Sequence, residues 1–420
     1  MSILQKPGSP FKEIKDIGVI WVMDEAIKLG FYNGNAEWAN LGQGEPEVGE
    51  MKGAPPRIMH FDIEPGDDRY GPLNGMLALR SSIAAHYNRL YRKNKSSKYT
   101  ADNVSVAMGG RLALTHIFSI LGEVRLGYKV PEYPAYEDLI NYQHPRISPV
   151  RIPCQKENNY SISSTGFEEA IKEYELDAFL FSNPCNPTGH VVKDEELDAY
   201  VRIAREQNCV LVVDEFYSHF IYENGKAANA PVSSAAYVED VNADQVLIVD
   251  GLTKSFRYPG WWLAWVLAPK DVIDDIGRAA SGIDGGPSVP IQRAALQLFE
   301  PERADMETQA LREVFSRKQS LTLKSLRDNG MICSTDANST FYIWADISLL
   351  PAPLNNAHTL FRELLKRKVM VVPGSMFDIH PGQQNGAIQF EQYVRVSFGP
   401  DEENLKMGLN RITELIKSYH

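Results

Sequence analysis

Short apolar runs rich in β-branched residues alternate with longer helical patterns through the middle of this chain. Such alternation predicts βα units and a mostly parallel sheet. The runs that we predict as strands are 104–108, 178–181, 209–213, 246–249 and 263–267. Four of them end in a cluster of glycine or polar residues, and ligands of open α/β sheets bind beyond the carboxyl ends of the strands. The sequence therefore predicts one site where several strand ends meet.

The last third of the chain has a different pattern, in which amphipathic stretches separate short apolar runs. We predict helices at 306–329, 358–368 and 404–418, and strands at 341–344, 369–372 and 393–398. This mixture predicts a smaller α+β domain beside the parallel sheet. The predicted divisions are an N-terminal segment, 1–50, that packs with the small domain, a large domain, 51–300, and a small domain, 301–420.

The charge balance and the cysteine pattern argue against several functional classes. Lysine and arginine number 43 against 54 acidic residues, giving a net charge of −11 with no basic block, so we expect no nucleic-acid partner. Apolar runs are too short to span a bilayer, and charges interrupt residues 1–29, so we expect no membrane association and no secretory signal. Four cysteines without C-x-x-C spacing favour a reducing, cytoplasmic location.

Three residues at predicted strand ends carry side chains suited to related chemistry. Lys254 follows a buried strand, where loss of solvent lowers the pKa of an amine and frees it for Schiff-base formation. Asp214 follows Leu-Val-Val, so its carboxylate is placed to hold a protonated ring nitrogen. Tyr217 lies three residues later and reaches the same ligand if the loop turns helically. Taken singly, such residues are more often a surface cation, a loop cap and a packing aromatic.

Two glycine-containing segments add a candidate phosphate site and a more specific motif. Gly109 and Gly110 separate a predicted strand from a helical pattern, which is how backbone N–H groups are aimed at a phosphate. Arg111, in the first helical turn, adds a cation. The string Asn-Pro-Cys-Asn-Pro-Thr-Gly at 183–189 is more specific, because the backbone before each proline is biased to be extended and Gly189 relieves the turn.

These motifs occur in the order and spacing of a known family. The strings at 183–189, 214–217 and 253–260 resemble those of the class I/II aminotransferases, the fold type I group of pyridoxal-phosphate-dependent enzymes. The resemblance covers nearly the whole chain and implies a three-layer α/β large domain, with a mostly parallel sheet, and a smaller α+β domain. It extends to Gly42-Gln-Gly-Glu-Pro, Tyr70-Gly71, Pro-Glu-Tyr-Pro-Ala-Tyr at 131–136 and Val-Arg-Val-Ser-Phe-Gly at 394–399.

The resemblance implies a role for each candidate residue. Lys254 forms the internal aldimine with pyridoxal 5'-phosphate and later shuttles the α-proton, while Asp214 pairs with the pyridine nitrogen. Tyr217 and Asn186 hydrogen-bond the phenolic oxygen of the ring, and Tyr133 stacks on its face. The other implied ligands are Gly109, Gly110, Arg111 and the other subunit's Tyr70 for the phosphate, and Arg395, Gly44 and Asn186 for the substrate carboxylate.

The implied activity is transfer of an amino group between an α-amino acid and a 2-oxo acid in amino acid metabolism, including biosynthesis. The implied assembly is a homodimer with shared active sites. No metal ligand set is expected. The main alternative is another pyridoxal-phosphate reaction on the same fold: a lyase, a cyclising enzyme similar to aminocyclopropane-carboxylate synthase, or an oxygen-using deaminase. A non-catalytic regulator fits less well, because Lys254 and Asp214 retain the catalytic chemistry.

The chain departs from the family at two positions expected to bind phosphate. Trp262 stands where the family usually has an arginine, eight residues after Lys254, and Gly251 replaces a common serine. A phosphate dianion left unpaired in a partly buried pocket is costly. We therefore predict that Arg111 or Arg257 supplies the missing charge.

The Asp284 loop leaves two interpretations open. Ile-Asp-Gly-Gly-Pro at 283–287 is predicted to line the site entrance of the partner subunit. There, Asp284 either holds a basic group of the substrate or belongs to a simple turn.

Overall fold

The computed structural model describes residues 18–223, 226–227, 230–334, 337–382 and 389–419. The prediction that the N-terminus is no secretory signal falls mostly on residues 1–17, outside this range. The helices are α1 (Val19–Lys28), α2 (Leu77–Tyr91), α3 (Gly110–Ile120), α4 (Ala135–Asn141), α5 (Ser164–Tyr174), α6 (Asp194–Glu206), α7 (Lys270–Ile283), α8 (Val289–Ala295), α9 (Pro301–Asp328), α10 (Ala357–Lys366) and α11 (Glu402–Lys417). Within these described residues, no helix is both long and apolar enough to cross a membrane.

The larger sheet has seven strands in the order β2-β10-β9-β6-β5-β3-β4. Its strands are β2 (Val104–Ala107), β3 (Val124–Lys129), β4 (Ile147–Ile152), β5 (Ala178–Ser182), β6 (Val210–Asp214), β9 (Val246–Gly251) and β10 (Ala264–Leu267). Only β10 runs antiparallel to its neighbours. This arrangement confirms the predicted α/β class with a mostly parallel sheet.

The smaller sheet has the order β11-β12-β15-β14 and is antiparallel. Its strands are β11 (Ile332–Cys333), β12 (Tyr342–Asp346), β14 (Val372–Pro373) and β15 (Tyr393–Ser397). The short strands β1 (Ala39–Asn40) and β13 (Val369–Met370) pair in parallel, and β7 (Tyr222–Glu223) pairs with β8 (Lys226–Ala227). The β1–β13 pair joins the N-terminal part of the chain to its C-terminal part, and the predicted domain boundaries at residues 50 and 300 stay a proposal.

Burial explains why the apolar runs form the central strands. The five residues of β5 and the six of β9 are all buried, because helices cover both faces of a parallel sheet. Helices α7 and α10 each bury one apolar stripe and expose the opposite face, as predicted for amphipathic elements. The sequence reasoning did not predict β3 and β4, in which charged residues and a proline interrupt the apolar pattern.

Arg92 links the end of α2 to the segments that precede β2 and β9, at the amino ends of these strands. It follows α2 with its side chain fully buried, and its guanidinium donates to the carbonyls of Ser97, Ala235 and Val238, the last two at 2.8 Å. These carbonyls have no strand partner there, so Arg92 satisfies backbone groups that burial would otherwise leave unpaired. The neighbouring Arg89 instead makes an exposed ion pair with Asp305.

Replacing Arg92 with Met should lower the free energy of unfolding by about 3 kcal/mol or more, because several buried carbonyls lose their donor. Arg89→Met is the matched control on the same helix and should cost less than about 1 kcal/mol, as exposed ion pairs do. Urea denaturation followed by circular dichroism measures both. Equal losses in the two variants would contradict the role assigned to Arg92.

Candidate active site

The carboxyl ends of the central strands bring together residues from four separate motifs. Asp214 is the last residue of β6 and pairs in register with Ser182 at the end of β5. Lys254 lies three residues beyond the end of β9, and Gly109 lies just beyond β2. Because β10 alone reverses direction, the ends of these parallel strands face the same edge of the sheet. The site is built on this edge.

Lys254 is enclosed by the N-terminal loop. Its Nζ donates a hydrogen bond to the carbonyl of Gly44. Burial lowers the pKa of Lys254 to about 8, and Arg395 and Arg111 act in the same direction, whereas the carboxylate of Glu45 opposes the shift. An amine with such a pKa is about one-tenth neutral at pH 7, far more than an ordinary lysine, and the neutral fraction can attack a carbonyl carbon.

Asp214 is buried and held by two donors. Tyr136 donates its hydroxyl proton to Oδ2 at 2.8 Å, and the backbone N–H of Phe216 donates to Oδ1 at 3.3 Å. Burial raises the pKa of Asp214 to about 6, although both hydrogen bonds favour the charged form. The carboxylate is therefore suited to a positively charged partner such as a protonated ring nitrogen. Sequence reasoning gave Tyr136 no role, and its spacing of three residues after Tyr133 was the available signal.

Tyr217 contacts a second tyrosine that sequence reasoning missed. Its hydroxyl lies 2.7 Å from that of Tyr342 on β12. A Cβ atom on Gly44 would lie 2.4 Å from the Tyr342 hydroxyl, so a side chain at that position would displace the tyrosine. The glycine is therefore required by the close approach of the loop. Tyr342 was predicted only as part of a strand.

Arg395 lies on β15 and reaches across to the larger sheet. Its Nη1 donates to Asn186 Oδ1 at 2.8 Å, and its Nη2 donates to the carbonyl of Gly42 at 2.5 Å. The guanidinium packs on the ring of Tyr342, 4.1 Å from the centroid. Its Nε is buried and has no hydrogen-bond partner among the described residues. A buried N–H group without an acceptor fits a site for a carboxylate.

The Gly109–Gly110 turn is covered by aromatic rings. Gly109 has φ +88°, and α3 begins at Gly110 with its N–H groups directed out of the helix end. A Cβ atom on Gly109 would lie 2.7 Å from the indole of Trp262, and one on Gly110 would lie 2.5 Å from the ring of Phe216. Any residue larger than glycine at these two positions would therefore collide with these rings. Arg111 follows, and its Nε donates to the hydroxyl of Tyr133 at 3.3 Å.

Arg257, the second predicted phosphate cation, makes contacts away from the glycine turn. This residue has φ +57°, and its side chain is fully buried away from the strand ends. Its Nε donates to Glu307 on α9 at 2.5 Å, and its Nη1 donates to the carbonyls of Glu47 and Gly49. Arg257 thus ties α9 to the N-terminal loop, and of the two predicted phosphate cations only Arg111 lies at the glycine turn.

The structure separates two other predicted residues from this cluster. Tyr70 is fully exposed in the single chain, as a residue that enters another subunit must be. The contacts of Asp284 favour the interpretation that it belongs to a simple turn. Its Oδ1 accepts from the N–H of Gly286 at 3.2 Å, and its Oδ2 lies 3.4 Å from Nε2 of His116. Tyr133 is partly buried and meets Tyr136 edge-on, with 5.5 Å between ring centroids.

The donor set can be compared with the groups of pyridoxal phosphate. The lysine amine, whose pKa is lowered, suits an aldehyde, and the buried carboxylate suits a ring nitrogen. The tyrosine pair suits a phenolic oxygen, and the glycine turn at a helix start suits a phosphate. The narrow cradle at the glycines and the unpartnered Nε of Arg395 leave room and donors for anionic groups. Across the described residues, no group of three or more His, Cys, Asp or Glu side chains is arranged to hold a metal.

Comparisons with known proteins agree with this geometry. The family model described as aminotransferase class I and II matches residues 36–412. An aspartate aminotransferase of Pyrococcus abyssi is 26% identical over 385 residues, which cover 90% of this chain and 91% of that protein. A probable aspartate/prephenate aminotransferase of Aquifex aeolicus is 27% identical over 361 residues, with 84% and 85% covered. The solved aspartate aminotransferase of Thermus thermophilus with maleate has the same fold, with a TM-score of 0.78 at 24% identity, and 96% and 97% of the two chains are covered.

The lowered pKa of Lys254 predicts when its amine reacts. In protein free of cofactor, labelling by a small aldehyde, trapped by borohydride, should rise with pH and level off above about 8, because the neutral amine is the nucleophile. Peptide mass spectrometry measures labelling at each lysine. The exposed Lys52, labelled in the same samples, controls for the pH dependence of the trapping step. Labelling of Lys254 that still rises well above pH 8 would contradict the assignment.

Proposed function

Because the chain belongs to the class I and II aminotransferase family, we propose that it binds pyridoxal phosphate at Lys254 and transfers an amino group between an α-amino acid and a 2-oxo acid. The observation that carries this proposal is the partly buried Lys254 amine beside a buried Asp214 carboxylate at one sheet edge. When bound, pyridoxal phosphate supplies an aldehyde that accepts the amino group and a ring that takes up electron density.

The residues of this chain divide the work by position. Asp214 holds the ring nitrogen in its protonated form, and Tyr136 keeps the carboxylate oriented through its 2.8 Å hydrogen bond. Lys254, released from the Gly44 carbonyl, holds and moves a proton at the substrate α-carbon. Tyr217 is placed to donate to the phenolic oxygen, and Tyr133 to cover the ring face.

Arg395 and Asn186 bind the substrate carboxylate. The planar guanidinium offers its unpartnered Nε together with an Nη group, which suits a two-point grip on a carboxylate. Gly44 lies across from them and leaves space where a side chain would enter the site. Since α-amino acids and 2-oxo acids both carry a carboxylate at this position, one subsite serves donor and acceptor.

Tyr70 supports a dimer with shared active sites. Its ring is fully exposed in the single chain, although the resemblance implies contact with a phosphate. Met59, Ile63 and Leu77, which are near Tyr70 in the sequence, also expose large apolar side chains, as does the more distant Trp262. A second copy that covers these residues would bring each Tyr70 into the neighbouring site. Sedimentation of the purified protein as a monomer would contradict this assembly.

The activity is tested in a single turnover. Protein loaded with cofactor is mixed with single amino acids in the absence of any 2-oxo acid, including aspartate and the aromatic amino acids that relatives are named for. The proposal predicts stoichiometric conversion of the bound cofactor to its amine form and release of one 2-oxo acid, measured by absorbance and mass spectrometry. Release of ammonia or of a cyclised product would instead support another reaction class, which Trp262 in place of the family arginine makes the second candidate.

Arg111 and Arg257 should respond differently to replacement. Arg111→Ala is expected to weaken pyridoxal-phosphate binding at least about tenfold, because a charge-assisted contact to the phosphate is lost. Arg257→Ala should leave that affinity within about threefold but lower the melting temperature, because the buried Glu307 loses its 2.5 Å partner and keeps only Arg57 at 3.9 Å. Absorbance titration of the cofactor-free protein and differential scanning calorimetry measure these effects. Loss of affinity only in Arg257→Ala would reverse the two assignments.

A further inference from the structure

A buried ion pair lies beneath the carboxylate-binding residues. Lys129 is the last residue of β3, and its Nζ lies 2.8 Å from Oε1 of Glu132 and 3.1 Å from Sγ of Cys185. Both charged side chains are buried, Glu132 completely. The neighbouring Cys185 and Glu132 hold the pKa of Lys129 above its ordinary value although burial acts to lower it, so the amine stays charged.

Glu132 is fully engaged as a hydrogen-bond acceptor. The hydroxyl of Ser182 donates to Oε2 at 2.6 Å, and the Ser182 N–H donates to Oε1 at 3.2 Å. The N–H of Tyr133 adds a third bond at 3.3 Å. Glu132 thus accepts from three N–H or O–H donors and also faces the ammonium ion of Lys129.

Ser182 connects Glu132 to Asn186. The Ser182 hydroxyl has one proton, which it gives to Glu132, and its oxygen accepts from the backbone N–H of Asn186 at 3.2 Å. Asn186 in turn accepts from Arg395 through Oδ1 at 2.8 Å. Ser182 thus holds the backbone of the residue whose side chain accepts from Arg395.

We infer that the Lys129–Glu132 ion pair, acting through Ser182, positions Asn186 and thereby Arg395 for the carboxylate common to donor and acceptor substrates. We name Lys129, Glu132, Ser182 and Asn186 the Glu132 network. Lys129, Glu132 and Ser182 are positioning residues, because each acts on the carboxylate through the next. The inference rests on the proposed function, since it explains how the substrate subsite of that function is held.

The Glu132 network also affects the pKa of Asp214, on the cofactor side of the site. Burial is the main cause of the raised pKa of Asp214, and the charge of Glu132 raises it further. Lys129 offsets part of this charge. Neutralising Lys129 and Glu132 together removes both charges, so this paired change is milder than leaving either partner alone in the interior.

The test compares Lys129→Met/Glu132→Gln with Ser182→Ala. Both are expected to raise KM for the amino acid and for the 2-oxo acid about tenfold, with kcat within about threefold, because carboxylate binding is weakened in every state of the reaction. The triple variant should be no worse than the worse of the two, since all three residues act in one network. Calorimetric titration with a 2-oxo acid should show the same loss of affinity without turnover.

The matched control is Arg205→Met/Asp244→Asn. That pair makes two 2.8 Å bonds, and Asp244 precedes β9 at the opposite edge of the sheet from Arg395. Its loss should lower the melting temperature and leave KM unchanged.

Three results would overturn the inference: an unchanged KM in the folded variants, a loss of kcat alone, or additive effects in the triple variant. If Lys129→Met/Glu132→Gln fails to fold, Ser182→Ala alone decides by the same criteria. Absence of transamination by the unmodified protein would defeat the proposed function, and the calorimetric affinities would still decide the inference.

Discussion

The site depends on keeping charged groups away from water without leaving any of them uncompensated. Lys254, Asp214 and Arg395 all lie where solvent is scarce, and a buried charge costs far more than a surface one unless a partner receives it. Each group therefore has an anchor within the chain: Lys254 a carbonyl, Asp214 the Tyr136 hydroxyl and the Phe216 N–H, and Arg395 Asn186 and a carbonyl. The Nε of Arg395 still has no partner among the described residues and is available to a ligand.

The same constraint explains why the site lies where two sheets meet. Arg395 comes from the smaller sheet and Asn186 from the loop after a strand of the larger sheet, so their hydrogen bond ties the two together. Arg257 makes a comparable link behind the site, between α9 and the N-terminal loop. Any change in the relative position of these parts would alter the proposed carboxylate subsite, so its geometry is coupled to the packing of both sheets.

The sequence allowed prediction of the strands whose apolar runs are continuous, and of the polar groups that follow those strands. The strands bounded by 178–182 and 246–251 are continuous apolar runs, and the polar groups after such strands share an edge because the strands are parallel. Strands β3 and β4 were missed because their charged residues hide the pattern. Tyr342 and Glu132 were missed for another reason, since their roles depend on side-chain directions that distant parts of the chain determine. The contacts of Arg257 were missed on the same ground: it lies three residues from Lys254, but its left-handed backbone turns it towards α9.

Trp262 stands where the family usually has an arginine, and this difference changes which groups can attract an anion to the glycine turn. Where the family has a guanidinium, an indole packs on Gly109 and contributes surface rather than charge. The attraction for a phosphate then comes from the N–H groups at the start of α3 and from Arg111, which lies in the same turn. Both come from one helix end, whereas an arginine at 262 would approach from a separate segment. A phosphate bound at this turn would thus be held from one direction, with the indole of Trp262 packed on Gly109 beside it.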